Sequence, residues 1–392
     1  MNREKKIIHI ATDEKFIDSA NFLFEQAFPG VNDFYIIVDD EEKKTKYVTL
    51  KENVKLVNSD INNLNTFINQ LKGETIVIFH SMFYVNSYVT NRLDKDVKIF
   101  WFLFGAEFYG NQKLFKSSEF LGALTRKIFE KDTNYSWIKE VIKKNFRNFY
   151  YKTFKGIYSP YAEMLNAMNR SNVLGILYKE EYNNIINKLG VNKKLHLDFT
   201  YYPIERMISN MEDRVVGCNI LIGNSASYTN NHLEVFEKLT TLNLKDSKII
   251  CPLSYGNNNY RNQIKKIGEE KFGENFQALI DFMPLKSYNE YIKSCNIVLM
   301  NHYRQQAVGN VMTMLWMGAK VFLDERNTLF HYLKRLGVTV FSINRDLNES
   351  KDLKPLSINE QNINRKLLLS ELGTKSIVYK IENFLNPFLN KQ

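Results

Sequence analysis

NIVLMNHYRQQAVGNVMTMLWMGAKVFL, residues 296–323, contains a strand, a loop, a helix and a second strand in one run. The first apolar run ends near Met300, Gly309 and Asn310 open an apolar helix, and a second apolar run follows Gly318. Strands that are apolar without alternation are buried on both faces, as in parallel sheets covered by helices. This stretch therefore predicts an α/β fold with a mostly parallel sheet.

Strand and helix patterns alternate over the rest of the chain. Apolar runs that predict further strands include residues 33–40, 54–57, 97–104, 218–222 and 248–254. Because the alternation restarts at Cys218, we predict two Rossmann-like domains with a cleft between them. We place the domains at residues 1–205 and 206–365, and expect a C-terminal helix in residues 366–392 to pack back on the first domain.

The composition favours a folded protein with anionic partners. The 392 residues carry a net charge of +10, and 44% of them are hydrophobic. Nucleic acid, acidic phospholipid and phosphorylated small molecules all suit such a charge. The three cysteines are isolated in sequence, which argues against a zinc knuckle and favours a reducing compartment. With no signal-peptide pattern and no long apolar run, we expect a cytoplasmic protein that can contact a membrane surface.

Several common motifs are absent from the sequence. There is no GxGxxG dinucleotide fingerprint, no GxxxxGK[ST] phosphate loop, no GxSxG elbow and no HExxH. Most nucleotide oxidoreductases, ATPases and α/β-hydrolases are therefore disfavoured. Asp39 and Asp40 follow a predicted strand but are succeeded by lysines rather than by further metal ligands. We expect neither a cofactor nor a bound metal.

The loop at residues 303–310 is the first candidate site. It precedes a predicted helix, whose N-terminal N–H groups and positive dipole end suit a phosphate. Arg304 can bind an oxyanion in a bidentate way, and Gly309 lets the backbone approach a ligand closely. In the other interpretation, Gln305 and Gln306 only cap or solvate the turn.

The segment LIGNSASYTNNH, residues 221–232, supplies the second candidate loop. Its candidate residues combine hydrogen-bonding groups with little bulk: Gly223, Asn224, Ser225, Asn231 and His232. The alternative is plain capping, since Asn is a good N-cap residue. We expect both loops at the same edge of the second sheet, where together they favour a diphosphate site. A third loop at that edge carries Tyr255, which can stack on a base.

In the first half, Glu107 follows the very apolar strand run KIFWFLF at residues 98–104. Its aromatic neighbours should raise the pKa of its carboxyl group by desolvation, as a general base requires. The alternative is an acidic residue that only interacts with a helix N-terminus. His80, and His9 with Asp13, are rival candidates for the base.

Residues 111–156 hold 11 Lys and Arg residues against four acidic ones, with many aromatic residues between them. A basic, aromatic-rich helical stretch can lie on an anionic membrane. A solvated helix with a core-facing side explains the pattern equally well. Nucleic-acid binding is a weaker interpretation, because the charge lies in one segment without a known reader motif.

The chain resembles the TDP-N-acetylfucosamine:lipid II N-acetylfucosaminyltransferases, glycosyltransferase family 56, over most of its length. The resemblance is strongest over residues 218–345. The segments that carry it are WFLFGAEFYG, in the first half of the chain, and ILIGNSASYTNNHLE, CPLSYGNNNY and RQQAVGNVMTMLWMGAKV in the second. It implies the GT-B architecture and a metal-independent hexosyltransferase. The implied reaction moves 4-acetamido-4,6-dideoxygalactose from its dTDP carrier to an undecaprenyl-diphosphate-linked glycan. Enterobacterial common antigen assembly, by a peripheral protein at the cytoplasmic face of the inner membrane, is the implied setting.

The resemblance also assigns roles to individual residues. The donor and its diphosphate would contact the residues of the three loops: Gly223, Asn224, Ser225, Asn231, His232, Tyr255, Arg304, Gln305, Gln306, Gly309 and Asn310. Glu107 would be the base, although better-known members are expected to have Asp at this position. The donor helix lacks the Glu-x7-Glu pattern of many retaining GT-B enzymes, which favours inversion. A UDP-sugar donor, a different acceptor glycan, and a non-catalytic membrane-surface or nucleic-acid-binding protein are the alternatives.

Overall fold

The computed structural model describes residues 6–42, 44–71, 76–154, 158–208, 210–244, 247–283 and 285–390. The strands among these residues, in chain order, are β1 Ile7–Thr12, β2 Asn32–Val38, β3 Val54–Asn58, β4 Ile76–His80, β5 Lys98–Phe102, β6 Val173–Gly175, β7 Leu195–Leu197, β8 Asn219–Ile222, β9 Ile249–Pro252, β10 Phe276–Leu279, β11 Cys295–Met300, β12 Lys320–Leu323 and β13 Phe341–Ser342.

The helices of the same residues alternate with these strands. In chain order they are α1 Ile17–Ala27, α2 Ile61–Gln70, α3 Tyr84–Arg92, α4 Ala106–Tyr109, α5 Ala123–Thr133, α6 Trp137–Phe154, α7 Pro160–Arg170, α8 Lys179–Leu189, α9 Ile204–Met207, α10 His232–Thr240, α11 Asn258–Phe272, α12 Leu285–Lys293, α13 Val308–Met317, α14 Thr328–Arg335, α15 Ile358–Leu372 and α16 Thr374–Leu389.

The strands form two parallel sheets. The first has the order β3-β2-β1-β4-β5-β6-β7, and the second the order β10-β9-β8-β11-β12-β13. In both sheets the order reverses beside the first strand, so β1 pairs with β4 and β8 pairs with β11. This is the doubly wound arrangement, in which ligands bind beyond the carboxyl ends of the strands at the reversal. The predicted α/β fold with two Rossmann-like domains is confirmed.

The chain divides into two compact units that differ from the predicted domains. The first unit comprises residues 1–116, 141–203 and 372–392, and the second comprises residues 117–140 and 204–371. Residues 117–140, which we placed in the first domain, thus lie in the second compact unit. The physical reason is a set of hydrogen bonds: the Glu234 carboxylate accepts from the backbone N–H groups of Leu124 and Thr125 at 2.9 and 3.0 Å.

The predicted C-terminal helix is two helices, which break at Gly373. The second of them, α16, lies in the first unit and packs on α1. It buries Ile377, Ile381 and Leu385, three residues at helical spacing, in the same cluster as the first sheet. The chain thus returns to the first unit at residue 372 rather than at residue 366.

Each sheet has an apolar core that fixes the position of its loops. In the second unit, buried residues of β8, β9, β11 and β12 pack with the inner faces of α10 and α11. Such strands are inflexible platforms, so the polar loops at their carboxyl ends are held in place. Across the described parts of the chain, none of the helices combines the length and apolarity that crossing a bilayer requires.

Candidate functional site

In the second unit, the loops after β8 and β11 meet at the reversal of the strand order. Asn231 donates through Nδ2 to the backbone oxygen of Asn301 at 3.0 Å. Thr229 donates through Oγ1 to Oε1 of Gln306 at 2.7 Å. The two loops that the sequence singled out are thus joined by direct hydrogen bonds at the edge where doubly wound sheets bind ligands.

Asn230, which is fully buried, connects the two loops. Its Oδ1 accepts from the backbone N–H of Asn224 and from Nε2 of His302, both at 2.9 Å. Its Nδ2 donates to Oγ of Ser225 at 3.2 Å. The sequence placed Asn230 at a helix start beside Asn231 and gave it no separate role, because nothing local distinguishes a connecting amide from a capping one.

The bonds of Asn230 fix the proton of the buried His302. Since a backbone N–H donates to Oδ1 of Asn230, that atom is the amide oxygen, and Nε2 of His302 must carry the hydrogen. Burial lowers the pKa of His302 to about 3, so the ring is neutral and its Nδ1 is a bare acceptor. Within the described residues no group bonds this buried Nδ1.

His232 provides a second buried nitrogen at the same place. Its Nδ1 lies 3.1 Å from the hydroxyl of Tyr260, whereas Nε2 has no partner among the described residues. Burial lowers the pKa of His232 to about 3, so this ring is also neutral. Buried polar groups are almost always paired, so two unpaired ring nitrogens mark a place where a ligand can supply partners.

Gly223 makes this close packing possible. Its φ of +65° lies in the left-handed region, and a Cβ there would be 2.6 Å from Oδ1 of Asn230 and 2.7 Å from Nε2 of His232. Only glycine meets both demands, for the conformation and for the space. Asn224 lies beside it and donates through Nδ2 to the hydroxyl of Tyr255 at 3.1 Å.

The third predicted loop is attached to the second. Ala226 donates its backbone N–H to the oxygen of Tyr255 at 2.8 Å, and Asn257 donates to the oxygen of Ala226 at 2.9 Å. The Tyr255 side chain is 61% exposed, so a face of its ring is open to a stacking partner. The structure therefore gathers the predicted residues of all three loops at one edge.

Capping does not account for the asparagine before α10. Asn231 adopts a left-handed φ of 50° and its side chain caps nothing. Instead, Oδ1 accepts from the N–H of Gly122 at 2.8 Å, and Nδ2 donates to the oxygen of Phe120 at 3.1 Å as well as to Asn301. Asn231 thus holds the segment 117–140 against the loop, a contact that strand and helix patterns do not reveal.

The helix α13 begins without a side-chain cap. Its N-cap residue, Ala307, has a left-handed φ of 55°, which non-glycine residues seldom adopt. A Cβ at Gly309 would meet no atom within 4 Å, so the first turn is open on that side. Its N-terminal N–H groups are therefore able to bind an anion.

The polar residues beside this helix start make different contacts. Arg304 donates through Nη1 to the oxygen of Gln305 at 2.9 Å, and its guanidinium carbon lies 6.0 Å from the ring centre of Phe120. Asn310, in the first turn of α13, donates through Nδ2 to the hydroxyl of Tyr288 at 3.5 Å. Gln306 is not a cap, since Thr229 bonds its side chain. A cationic side chain and an uncapped helix start thus occur within one short loop.

Sequence reasoning overlooked a neighbouring ion pair. Asp324 is fully buried after β12 and accepts from Nε and Nη2 of Arg326, both at 2.7 Å. The Arg326 guanidinium also stacks on Tyr303, 3.3 Å from the ring centre. The carboxylate raises the pKa of Arg326 further above its usual range. The only sequence signal was a charged pair directly after an apolar strand.

In the first unit, Glu107 is 1% exposed at the start of α4. Its Oε1 accepts from Nε1 of Trp101 at 3.1 Å and from the N–H of Phe104 at 3.0 Å. Burial raises the pKa of Glu107, and these donors oppose the rise. Its Oε2 has no hydrogen-bond partner among the described residues, so this oxygen is the one able to take a proton. The predicted base role stays a prediction.

The rival bases His9 and His80 are bonded to each other. Nδ1 of His9 lies 3.0 Å from Nε2 of His80, and Nδ1 of His80 lies 3.3 Å from the hydroxyl of Tyr201. The amide nitrogen of Asn32 lies within hydrogen-bond distance of three other oxygens. The atom that faces His9 is therefore the amide oxygen Oδ1, which must accept from Nε2 of His9 at 3.3 Å. The direction of each following hydrogen bond is then fixed. Nε2 of His80 donates to Nδ1 of His9, and the hydroxyl of Tyr201 donates to Nδ1 of His80.

Neither His9 nor His80 is free to act as a base. Burial lowers the pKa of His80 to about 3 and that of His9 well below its usual value. Asp13 bonds neither ring and accepts instead from the N–H groups of Tyr47 and Val48 at 3.0 and 2.9 Å. Of the three candidates, Glu107 alone keeps an unpaired basic atom.

A recess of about 400 Å³ lies beyond the carboxyl ends of β1, β2 and β3. Its lining includes Asp39, Asp40 and Lys44. The carboxylate of Asp39 accepts from the hydroxyl of Ser59 at 2.8 Å. In the described portion of the chain, no three His, Cys, Asp or Glu side chains come together in a way that could hold a metal ion.

The fold of this chain is similar to that of several solved structures, among them GT-B glycosyltransferases. Sucrose-phosphate synthase from Thermosynechococcus elongatus matches with a TM-score of 0.63 and 7% identity over 98% of this chain and 99% of that one. HepE from Anabaena, in complex with UDP, matches with a TM-score of 0.60 and 10% identity, covering 97% and 100% of the two chains. The N-terminal domain of Candida albicans trehalose-6-phosphate phosphatase gives 0.60 and 11%, covering 99% and 97%.

A family comparison adds the class of chemistry. Residues 185–364 match the family described as 4-alpha-L-fucosyltransferase, glycosyl transferase group 56. This range contains all three loops at the edge of the second sheet. A non-catalytic or nucleic-acid-binding role is accordingly not supported. The protein is a glycosyltransferase of the GT-B fold, and its residues 185–364 match the model of glycosyl transferase group 56.

Proposed function

We propose that this glycosyltransferase transfers a deoxy-amino sugar, 4-acetamido-4,6-dideoxygalactose or a close relative, from a dTDP or UDP carrier to an undecaprenyl-diphosphate-linked oligosaccharide. The observation that carries the donor assignment is the uncapped start of α13, with Arg304 beside it, at the strand reversal of the second sheet. The family description names fucosyl transfer, and fucose is itself a 6-deoxy sugar. HepE, which has the same fold, binds UDP.

Departure of the nucleoside diphosphate is the step that the second unit would accelerate. Negative charge develops on the diphosphate as the bond to the sugar breaks. The N–H groups at the start of α13 and the Arg304 guanidinium would stabilise that charge. His302 and His232 are neutral and contribute no positive charge, so each offers a ligand only its one unpaired ring nitrogen, Nδ1 of His302 and Nε2 of His232.

Activation of the acceptor hydroxyl would fall to Glu107 of the first unit. A carboxylate with a raised pKa takes a proton more readily at neutral pH than an ordinary one. Its unpaired Oε2 would receive the hydroxyl proton as the oxygen attacks the anomeric carbon. A separate base of this kind suits inversion of configuration.

The acceptor and the location of the protein follow from the same proposal. A lipid-diphosphate-linked glycan is available only at a bilayer surface. We propose that the protein works as a peripheral protein on the cytoplasmic face of the bacterial inner membrane, in surface polysaccharide synthesis such as that of enterobacterial common antigen. The net charge of +10 supports binding to an anionic surface.

Nucleotide binding tests the donor assignment directly. The thermal midpoint of the purified protein is measured with dTDP, UDP, GDP and dTMP, each in the presence of EDTA. We expect dTDP or UDP to raise the midpoint more than dTMP does, because the diphosphate gains contacts that a monophosphate lacks. Arg304→Ala should remove most of that difference while leaving the midpoint without nucleotide nearly unchanged.

Arg335→Ala is the matched control for this experiment. It removes the same charge from the same unit, in the last turn of α14, far along the helix from the carboxyl ends of the strands. Its response to dTDP should equal that of the unmodified protein. If no nucleoside diphosphate raises the midpoint, or if Arg304→Ala responds like Arg335→Ala, the proposed donor site is wrong.

A further inference from the structure

The helix α6 exposes an unusual amount of apolar surface. The structure describes all 18 of its residues, and none of them is buried. Eight large hydrophobic side chains of this helix are more than a third exposed: Trp137, Ile138, Val141, Ile142, Phe146, Phe149, Tyr150 and Phe154. An amphipathic helix of a soluble domain normally turns such residues towards a core. Here they face solvent.

Two polar residues show which side of α6 faces the protein. Arg147 donates to Oε1 of Gln112 at 3.1 Å, and its guanidinium lies 4.4 Å from the ring centre of Tyr161. The neighbouring Asn148 accepts from the hydroxyl of Ser159. The helix is therefore attached through the side that carries Arg147 and Asn148.

Three of the apolar residues lie on the opposite side. A helix turns about 100° per residue, so Ile142, Phe146 and Phe149 form one stripe roughly half a turn from Arg147 and Asn148. Phe146 is 68% exposed and Ile142 is 61% exposed. The stripe thus points away from the rest of the protein, where no described residue covers it.

Lysines border this stripe. Lys139 and Lys143 lie on one flank at helical spacing, and Lys152 lies on the other; all three are exposed. Such an arrangement, with aromatic and aliphatic residues outward and lysines at their edges, fits the boundary between lipid headgroups and acyl chains. The lysines would lie at the level of the phosphates, and their charge selects an anionic surface.

We propose that α6 inserts its apolar stripe into the outer part of an anionic phospholipid bilayer and lies parallel to it. A helix with one apolar side lies in the plane of the interface, so the contact is with one leaflet. The basic border argues for lipid rather than a protein groove, because a protein partner would need matching acidic residues. The proposal rests on the proposed function only for its biological purpose, since the helix would bind such vesicles without donor or acceptor.

Co-sedimentation with vesicles tests the proposal. The full-length protein is mixed with vesicles of phosphatidylcholine alone, or of equal parts phosphatidylcholine and phosphatidylglycerol. We expect binding to the mixed vesicles only. Ile142→Glu should weaken it by roughly tenfold or more, because it removes an apolar side chain that would enter the bilayer and adds a charge that the lipids repel. Replacing Lys139 and Lys143 by Gln should weaken it by about fivefold per residue.

The control is Ile358→Glu, at an isoleucine that is 71% exposed at the start of α15. It introduces the same side chain at an equally exposed site and should bind the mixed vesicles as the unmodified protein does. The proposal would be overturned if the unmodified protein did not bind the mixed vesicles. It would also be overturned if Ile358→Glu weakened binding as much as Ile142→Glu does.

The dTDP-induced thermal shift separates this proposal from the proposed function. It should be the same in Ile142→Glu as in the unmodified protein. Vesicle binding with no nucleotide response would leave α6 as an anchor and refute the donor site. A nucleotide response without vesicle binding would support the donor site and refute the membrane contact of α6.

Discussion

The two sheets reverse their strand order in the same way, yet the side chains at the two reversals differ. Beside β8 and β11, asparagine side chains join loops, and His232 and His302 each keep a buried nitrogen that no described residue bonds. Beside β1 and β4, His9 and His80 use both ring nitrogens within the protein, and His9 stacks on Phe34 with ring centres 4.0 Å apart. The same strand order can therefore carry side chains whose hydrogen bonds are all made within the protein, or side chains that need a ligand to complete them.

Lowering the pH should have the largest effect, and it should affect both units. Burial lowers the pKa of His80, His232 and His302 to about 3, and that of His9 well below 6.5. Unfolded histidine binds a proton below about pH 6.5, whereas these native histidines do not. Their contribution to the free energy of unfolding is therefore complete above pH 6.5 and is lost progressively as the pH falls towards 3. Together they should lower the free energy of unfolding by on the order of 5 kcal/mol between about pH 6.5 and 5.

Urea unfolding at a series of pH values measures this loss. A free energy of unfolding that stays constant over that window would contradict the burial of the four rings. Unfolding in two steps, with only the first step sensitive to pH, would show that the two histidine pairs are not equivalent.

Removing the connecting amide should have the next largest effect. Asn230→Ala leaves the N–H of Asn224 and Nε2 of His302 without their buried acceptor, which should cost about 3 kcal/mol of unfolding free energy and remove the dTDP-induced shift. Asn32→Ala is the counterpart in the first unit, where Nε2 of His9 loses its acceptor. It should cost a similar amount and leave the dTDP response intact. Equal loss of nucleotide binding in both variants would remove the distinction between the two reversals.

Alanine substitutions at two glycines that have the same φ should have a smaller effect than the loss of Asn230. Gly223 and Gly190 both have φ +65°, but a Cβ at Gly190 meets no atom within 4 Å. Both variants should lose about 1 kcal/mol from the unfavourable conformation. Gly223→Ala should lose about 1–2 kcal/mol more, because Asn230 and His232 must move. Thermal unfolding of the two proteins measures the difference, and equal losses would show that the space at Gly223 is not tight.

Glu107→Gln should have the smallest effect on stability. The amide oxygen of Gln can still accept from Trp101 and Phe104, so the free energy of unfolding should change by less than about 1 kcal/mol. If Glu107 is the base, transfer of the sugar should slow by about 100-fold or more while dTDP binding stays normal. A variant that transfers sugar at the normal rate would rule out Glu107. This experiment shows whether the first unit takes part in the chemistry.

The sequence was sufficient to predict the sheets because buried parallel strands are apolar along their whole length. The run at residues 97–104 contains β5, and the run at 218–222 contains β8. It also placed two polar loops at one edge of the second sheet, since the topology brings the carboxyl ends of neighbouring strands together. Side-chain networks are another matter. Whether Asn230 caps a helix or joins two loops depends on the left-handed backbone at Asn231, which local composition does not encode.

The position of residues 117–140 was unpredictable for a related reason. The attachment of α5 depends on hydrogen bonds that the N–H groups of Leu124 and Thr125 donate to Glu234, and on one at 2.8 Å that the Tyr228 hydroxyl donates to Asp132. Such contacts join residues about 100 positions apart and leave no periodic trace in either segment. The basic, aromatic pattern of residues 111–156 gave the chemical character of the region, but not the boundary between the units within α6.

The interleaving of the two units has a consequence for how the protein is made. On the ribosome, residues 117–140 emerge well before residues 204–371, the rest of the second unit to which they belong. The first sheet, in turn, lacks the apolar side of α16 until residues 374–389 have been translated. The nascent first unit therefore exposes this apolar surface while residues 204–371 are synthesised, and a fragment cut near residue 204 would contain neither unit whole.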